Sequence, residues 1–246
     1  MLSIAGFDPS GGAGVLADVK VFEQFGHTGF GVVSALTYQN DEEFDGVSWV
    51  SVKEIKKQLQ PLLRKFPISY VKIGLIESFQ VLKEVLDFIN EHHLGKPARF
   101  IWDPILKASA GFSFHNEVDH AELQKVLNRC YVVTPNLSEA NTLFGKNRWN
   151  ELEMSPVEIN VLVKGGHSEG DYSEDILLTP TGKQTFEVAR INSDKHGTGC
   201  VLSSAITASL AGCFDLPKAC LVAKRYVTQF IESNKTMLGT HKGVVI

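Results

Sequence analysis

The sequence predicts an α/β protein of three layers, with a central, mostly parallel sheet covered by helices on both faces. Short apolar, β-branched runs alternate with helical patterns along most of the chain, the signature of strands joined by crossover helices. Nearly every strand run ends in glycine or polar residues, and in such sheets ligands lie beyond the carboxyl ends of the strands.

The first strand is "LSIAG", followed by a glycine loop and the amphipathic "VLADVKVFEQFG". "FGVVSALTYQ" reads as the second strand, "SVKEIKKQLQPLLRKF" as a helix and "YVKIGLI" as the third strand. In "SFQVLKEVLDFINEHH", Ser78 stands as an N-cap before apolar residues at three- and four-residue steps, so a helix is expected. "RFIWDP", "YVVTPN" and "NVLVKGG" continue the strand series. In "DILLTPTGKQTFEVAR" two extended runs flank "TPTGK", which predicts a hairpin. Two helices, Cys200 to Ala211 and Pro217 to Asn234, close the pattern. With no internal repeat, low-complexity tract or linker, residues 1–246 read as one domain.

A net charge of -4, with no Lys/Arg block, gives no footprint for nucleic acid or anionic lipid. No run approaches membrane-spanning length, and the N-terminus lacks the pattern of a secretory signal. Cys130, Cys200, Cys213 and Cys220 have neither paired metal spacing nor disulfide-scaffold density, which leads to an expectation of free thiols in the cytoplasm.

The strand-end segments are "GFDPSGGAG", "TYQND", "KIGLIE", "DPILKASAG", "TPNLSEA", "KGGH" and "DKHGTGC". The last carries the most chemistry. A glycine turn that opens a helix gathers backbone N–H groups at the positive end of the helix dipole, where phosphate binds. Gly197, Thr198 and Gly199 would supply those groups and Cys200 would sit beside the anion. A thiol at a helix start is expected to ionise below its usual pKa of about 8.5 and to take a proton from a substrate hydroxyl. The alternative is a tight turn with an inert core cysteine.

Lys164 ends an apolar strand before two glycines and suits nucleotide phosphates, or else snorkels from the strand end. Asp103 and Glu139 are candidates for magnesium, which takes one or two carboxylates and completes its shell with phosphates and waters. Either equally serves as a helix cap or first-turn carboxylate, and Asn136 has the same two readings. Gln39 offers a donor and an acceptor to a heterocycle edge, or is a solvated loop residue. The histidines form no metal pattern, and His196 is notable only for its position beside the glycine loop.

"GFDPSGG" opens like a phosphate-binding Walker loop but has Gly12 and Ala13 where Lys and Ser/Thr are required. "GAGVLA", Gly12 to Ala17, matches a dinucleotide fingerprint. Phe7 to Gly11 separate it from the strand, and "TYQND" places no clear ribose-binding acid.

In order along the chain, "SIAGFDPSGGAGVLADVKVFEQFG", "SALTYQN", "VKIGLI", "DPILKASAG", "TPNLSEA", "VLVKGGH" and "HGTGC" resemble the hydroxymethylpyrimidine and phosphomethylpyrimidine kinases of thiamin biosynthesis, in the ribokinase-like superfamily. The cysteine of "GTGC" separates them from the sugar kinases, which carry aspartate there. The resemblance implies an ATP- and magnesium-dependent kinase with a ribokinase-like α/β/α fold, acting on a small-molecule pyrimidine as a homodimer. It implies Cys200 as the catalytic residue, Lys164 on the ATP phosphates, Gly197 to Gly199 as the anion hole, and Asn136 and Glu139 on the magnesium and nucleotide side. Gln39, with Gly6, Ala13 and Asp18 near it, would bind the pyrimidine.

The chain departs from the family pattern at Phe7, Leu75 and Leu106, in a shorter segment before Val161, and in the ending "GTHKGVVI". Three other activities remain open to the sequence: a pyridoxal kinase of the same architecture, a non-catalytic pyrimidine- or nucleotide-binding regulatory module, and a dinucleotide oxidoreductase.

Overall fold

The computed structural model describes residues 1–95, 97–106, 119–145, 158–166, 170–193 and 195–243. Among the described residues, one sheet of nine strands runs in the order β3-β2-β1-β4-β5-β6-β7-β8-β9. Its parallel centre is β2 (Phe30–Gln39), β1 (Leu2–Phe7), β4 (Tyr70–Ile73), β5 (Arg99–Trp102), β6 (Cys130–Val133) and β7 (Asn160–Val163). The antiparallel strands stand outside it: β3 (Phe44–Trp49) on one edge, and the hairpin β8 (Tyr172–Thr179) and β9 (Gly182–Ala189) on the other.

Helices cover both faces. On one, α2 (Val52–Lys65), α3 (Phe79–His92), α4 (His120–Leu127) and α5 (Leu137–Phe144) bury Ile55, Leu59, Leu82, Leu86, Val126 and Leu143 against the sheet. On the other lie α1 (Gly14–Gln24), α6 (Thr198–Ala211) and α7 (Leu216–Glu232), with Phe22, Val201, Ile206 and Tyr226 in the core. Every residue of α6 from Cys200 to Leu210 is buried, so its small and apolar sequence reflects a helix enclosed all round.

The boundaries follow local chemistry. Ser78 accepts from the Val81 N–H and starts α3 as expected. Ser51 and Glu54 form a reciprocal capping box on α2, which continues past Pro61. The predicted hairpin turns between Thr179 and Gly182. Strand β3 and helices α4 and α5 add to the sequence reading. "FDGVSW" gave no apolar signal because it is an edge strand with no fully buried residue.

The connection that leaves β2 and returns as β4 passes over β1. The strand order therefore reverses between β1 and β4, the point at whose carboxyl edge sheets of this kind bind ligands.

Candidate active site

Four strand ends and the start of α6 converge at this edge. Gly197 takes a left-handed conformation, φ 79°, and precedes α6 without a side-chain cap. Glycine is obligatory at this position: a Cβ would stand 1.9 Å from the Gly12 carbonyl oxygen. The first turn thus presents its amides with no side chain competing for them. Beside it, a Cβ at Gly199 would lie 3.4 Å from Lys164 Nζ and 4.0 Å from Asp103 Oδ2.

Lys164 follows β7, where it bridges Asn136 and donates its backbone N–H to the Pro135 carbonyl at 2.8 Å. Its ammonium donates to Asp103 Oδ1 at 2.7 Å and stands 4.0 Å from Glu139 Oε2. Asp103 also accepts from Ser203 Oγ at 3.1 Å and Thr134 Oγ1 at 3.3 Å. Burial opposes its ionisation, but Lys164 and then Lys72 outweigh that cost and hold its carboxyl below the usual range. Burial also disfavours charge on Lys164, and Asp103 and Glu139 overcome it, so its pKa is raised.

Asn136 and Glu139 turn out to be helix caps. Asn136 Oδ1 accepts from the Glu139 N–H at 2.9 Å, and Glu139 Oε2 accepts from the Asn136 N–H at 2.7 Å, a capping box on α5. Glu139 nevertheless faces the site through Lys164, and burial followed by the Asp103 charge pushes its carboxyl upward despite that ammonium. Asp103 and Glu139, the carboxylates expected on the magnesium side, are both held by protein donors. Lys164 stands between them, and no group of three metal-ligating side chains forms among the described residues. This arrangement fits magnesium that arrives on phosphate oxygens.

Cys200 lies at the start of α6 and is 6% exposed. The expected depression of its thiol pKa is overturned. Burial pushes it up to about 11, with Lys72 pulling the other way, Asp18 and Asp103 adding to the rise, and the Gly14 N–H favouring the thiolate. A helix terminus lowers a thiol pKa where solvent reaches it, and here desolvation is the larger effect.

Asp18 also departs from expectation. Expected near the pyrimidine, it is fully buried instead, bound by Lys72 Nζ at 3.0 and 2.9 Å and by Ser3 Oγ and Ser204 Oγ. Gly6 lies against Leu75, whose Cδ2 is 3.1 Å from a Cβ built there, so the family departure at Leu75 lines the end of β1. Gln39 at the end of β2 donates its amide to Thr37 Oγ1 at 2.9 Å, which in turn donates to the Phe7 carbonyl at 2.8 Å.

Sequence reasoning missed Asp8. Its carboxylate accepts from the Ala13 N–H, from Ser10 and from His196 Nε2, each at 2.8 or 2.9 Å, and so ties the first glycine loop to the second. Adjacency of His196 to "GTGC" was the one available signal. These contacts also account for the dinucleotide fingerprint. A Cβ at Gly14 would stand 2.1 Å from the Gly6 carbonyl oxygen, and one at Gly12 would meet His196 Cδ2 at 2.6 Å and Leu238 Cδ2 at 2.7 Å. The glycines of this fingerprint are thus explained by close packing within the protein.

Lys107 to Gly111 of "DPILKASAG", His115, His167, and most of the shorter segment before Val161 lie outside the described residues, as do the last three residues of "GTHKGVVI".

The phosphomethylpyrimidine kinase profile matches residues 8–245. The chain belongs to the phosphomethylpyrimidine kinase family. It is 34% identical to a hydroxymethylpyrimidine/phosphomethylpyrimidine kinase of Aquifex aeolicus, covering 96% of this chain and 95% of that one. A Staphylococcus aureus (strain MRSA252) protein of the same name is 33% identical, with 94% and 87% covered. Among solved structures, a phosphomethylpyrimidine kinase from Clostridium difficile superposes with a TM-score of 0.75 at 30% identity, covering 93% of this chain and 97% of its own. A pyridoxal kinase from Staphylococcus aureus, in complex with AMP-PCP and pyridoxal, gives 0.81 at 26% identity, covering 96% and 88%. The fold is therefore ribokinase-like and the chain is a kinase of this family.

Proposed function

We propose that the protein transfers the γ-phosphoryl group of ATP to the hydroxymethyl group of 4-amino-5-hydroxymethyl-2-methylpyrimidine, and then to its monophosphate, in thiamin biosynthesis. The observation that carries this reading is the meeting of an uncapped helix start, a thiol and a lysine ammonium at one strand edge, in a chain whose relatives bear that activity in their names. The amides of Gly197 to Gly199 and Lys164 neutralise charge on the transferring phosphoryl oxygens. Cys200 accepts the proton of the attacking hydroxyl. Asp103 and Glu139 hold Lys164 for the phosphates, and magnesium carried on the nucleotide would offset further phosphate charge there. Gln39, with its amide N–H on Thr37, offers its carbonyl oxygen to the pyrimidine amino group, in a pocket bordered by Gly6 and Ala13.

Pyridoxal phosphorylation is the second reading, favoured by the likeness to the kinase solved with AMP-PCP and pyridoxal. ADP release measured in parallel with the two substrates decides between them. A markedly higher kcat/KM for pyridoxal would overturn the pyrimidine assignment, and tight ligand binding with no ADP release would favour a regulatory module.

Cys200→Ala is expected to lower kcat by about 10²-fold or more while leaving KM for ATP nearly unchanged, the pattern of a lost proton acceptor. Near-normal turnover would remove Cys200 from the mechanism. A cytoplasmic homodimer belongs to the same proposal. All four cysteines are free, and Leu36 and Tyr38 share an exposed face of β2. Sedimentation of the purified chain at one protomer mass would exclude the dimer.

A further inference from the structure

A second ion pair lies beside the proposed site. Lys72 on β4 and Asp18 on α1 are both fully buried and lie 54 positions apart in the sequence. Replacing a buried pair with apolar residues of similar volume is often neutral or stabilising, so core stability alone gives little reason to keep one.

Geometry points this pair at the thiol. The Lys72 side chain curls toward the carboxyl end of its strand, because its Nζ lies 2.9 Å from where a Gly74 Cβ would stand. Ile73 pairs with Trp102, so Gly74 follows β4 at the level where Asp103 follows β5. Ser204, which donates to Asp18 Oδ1 at 2.6 Å, is four residues beyond Cys200 on α6, one turn along the same face. The remaining Asp18 oxygen accepts from Ser3 Oγ on β1. Asp18 is thereby fixed from three elements and in turn holds the Lys72 ammonium beside α6, about one turn along from Cys200.

We infer that Lys72 is a positioning residue for the reaction: its buried ammonium, anchored by Asp18, is the standing positive charge that stabilises the Cys200 thiolate. The inference rests on the role proposed for Cys200. The charged groups facing the sulfur are Lys72 from β4, Asp18 from α1, Asp103 after β5 and Lys164 after β7. Lys164 is paired with Asp103, and in the proposed reaction it serves the nucleotide phosphates. Lys72 has no solvent-facing atom and keeps its charge near the sulfur throughout, its pKa raised by Asp18 and by Cys200 itself against the cost of burial.

The test is site-resolved alkylation of Cys200 by iodoacetamide across pH 7 to 10, read by mass spectrometry because Cys213 is exposed and reacts too. Every pH in this range lies below the Cys200 pKa of about 11, so Lys72→Met is expected to slow Cys200 labelling about tenfold at each fixed pH, the equivalent of an upward move of about one pH unit. The kcat limb should move with it and KM for ATP should hold. Because the single variant leaves Asp18 buried and unpaired, the double variant Asp18→Asn/Lys72→Met carries the decision. It keeps the shape without the charges, and its profile should move the same way by a smaller step, since Lys72 acts on the sulfur more strongly than Asp18 does. An unshifted profile in the folded double variant would overturn the inference. Full activity of Cys200→Ala with a shifted profile would instead refute the catalytic reading and leave the electrostatic one standing.

Discussion

The molecule contains two glycine loops, each opening a helix on the same face of the sheet, and they do different work. In the first, Ala13 caps α1 and its N–H is taken by Asp8; Gly12 is pressed by His196 and Leu238, and Gly14 by the Gly6 carbonyl. Neither helix has a side-chain cap, but in the second loop Gly199 looks onto Lys164 and Asp103. Glycine in the first loop makes room for other parts of the protein. At Gly199 it leaves space before a set of amides and an ammonium, which is where an anion is stabilised. Glycine spacing alone is therefore a poor guide to phosphate binding, and the side chains around each glycine decide the matter.

Substitutions that separate packing from chemistry sharpen the contrast. Gly197→Ala has the largest expected effect because the two loops touch there. The added Cβ meets the Gly12 carbonyl and the backbone sits at φ 79°, so a loss of about 3 kcal/mol in unfolding free energy is expected, at the upper end for strained backbone. Denaturant melts would measure it, and an unchanged midpoint would contradict the close approach. Gly199→Ala should instead leave stability almost intact, since its Cβ finds ordinary contact distances. Its kcat should fall by about 10²-fold through loss of anion stabilisation. A normal kcat would mean that the phosphoryl group lies elsewhere.

His196→Ala comes next. It removes one partner from Asp8 while Ser10 and Ala13 remain, so roughly 1 to 2 kcal/mol is expected to be lost. His196→Gln, which still presents an N–H donor, should recover most of it. Equal melting of the two variants would show that the bond to Asp8 contributes nothing.

These residues also mark what the sequence reveals and what it conceals. The strand and helix series is legible because burial on two faces writes itself as apolar runs and three- to four-residue steps, and Ser78 announced α3 through local chemistry. Cys200, Lys164, Asn136 and Glu139 stand out as candidates because strand-end and helix-start signals are local, and the latter two cap α5 while Glu139 also neighbours Lys164. Lys72 was invisible: within "YVKIGL" it resembles any strand lysine, and only the pairing of β1, β4 and α1 shows that its partner is Asp18. Asp8 was hidden likewise, since "DPSG" reads as an ordinary turn and its link to His196 spans 188 residues. The rise in the Cys200 pKa depends on enclosure by neighbouring elements, which a helix-start rule does not contain.

The smallest effect concerns pH and belongs to the first loop. Burial raises the Asp8 pKa, but hydrogen bonds from His196, Ser10 and Ala13 outweigh it and hold the carboxyl below its unfolded value of 3.8. A carboxyl depressed by folding contributes stability that is fully present above the unfolded value and is lost as pH falls through the folded one. Unfolding free energies should therefore decline below about pH 4. The decline should be shallower in Asp8→Asn, which has no proton to gain. Asp103 is depressed too and titrates in the same acid range in both proteins, so the difference between the two curves isolates Asp8. Parallel curves between pH 5 and 3 would mean that the clasp between the loops is too weak to register in stability. The contrast drawn between a packed first loop and an open second one would then rest on glycine geometry alone.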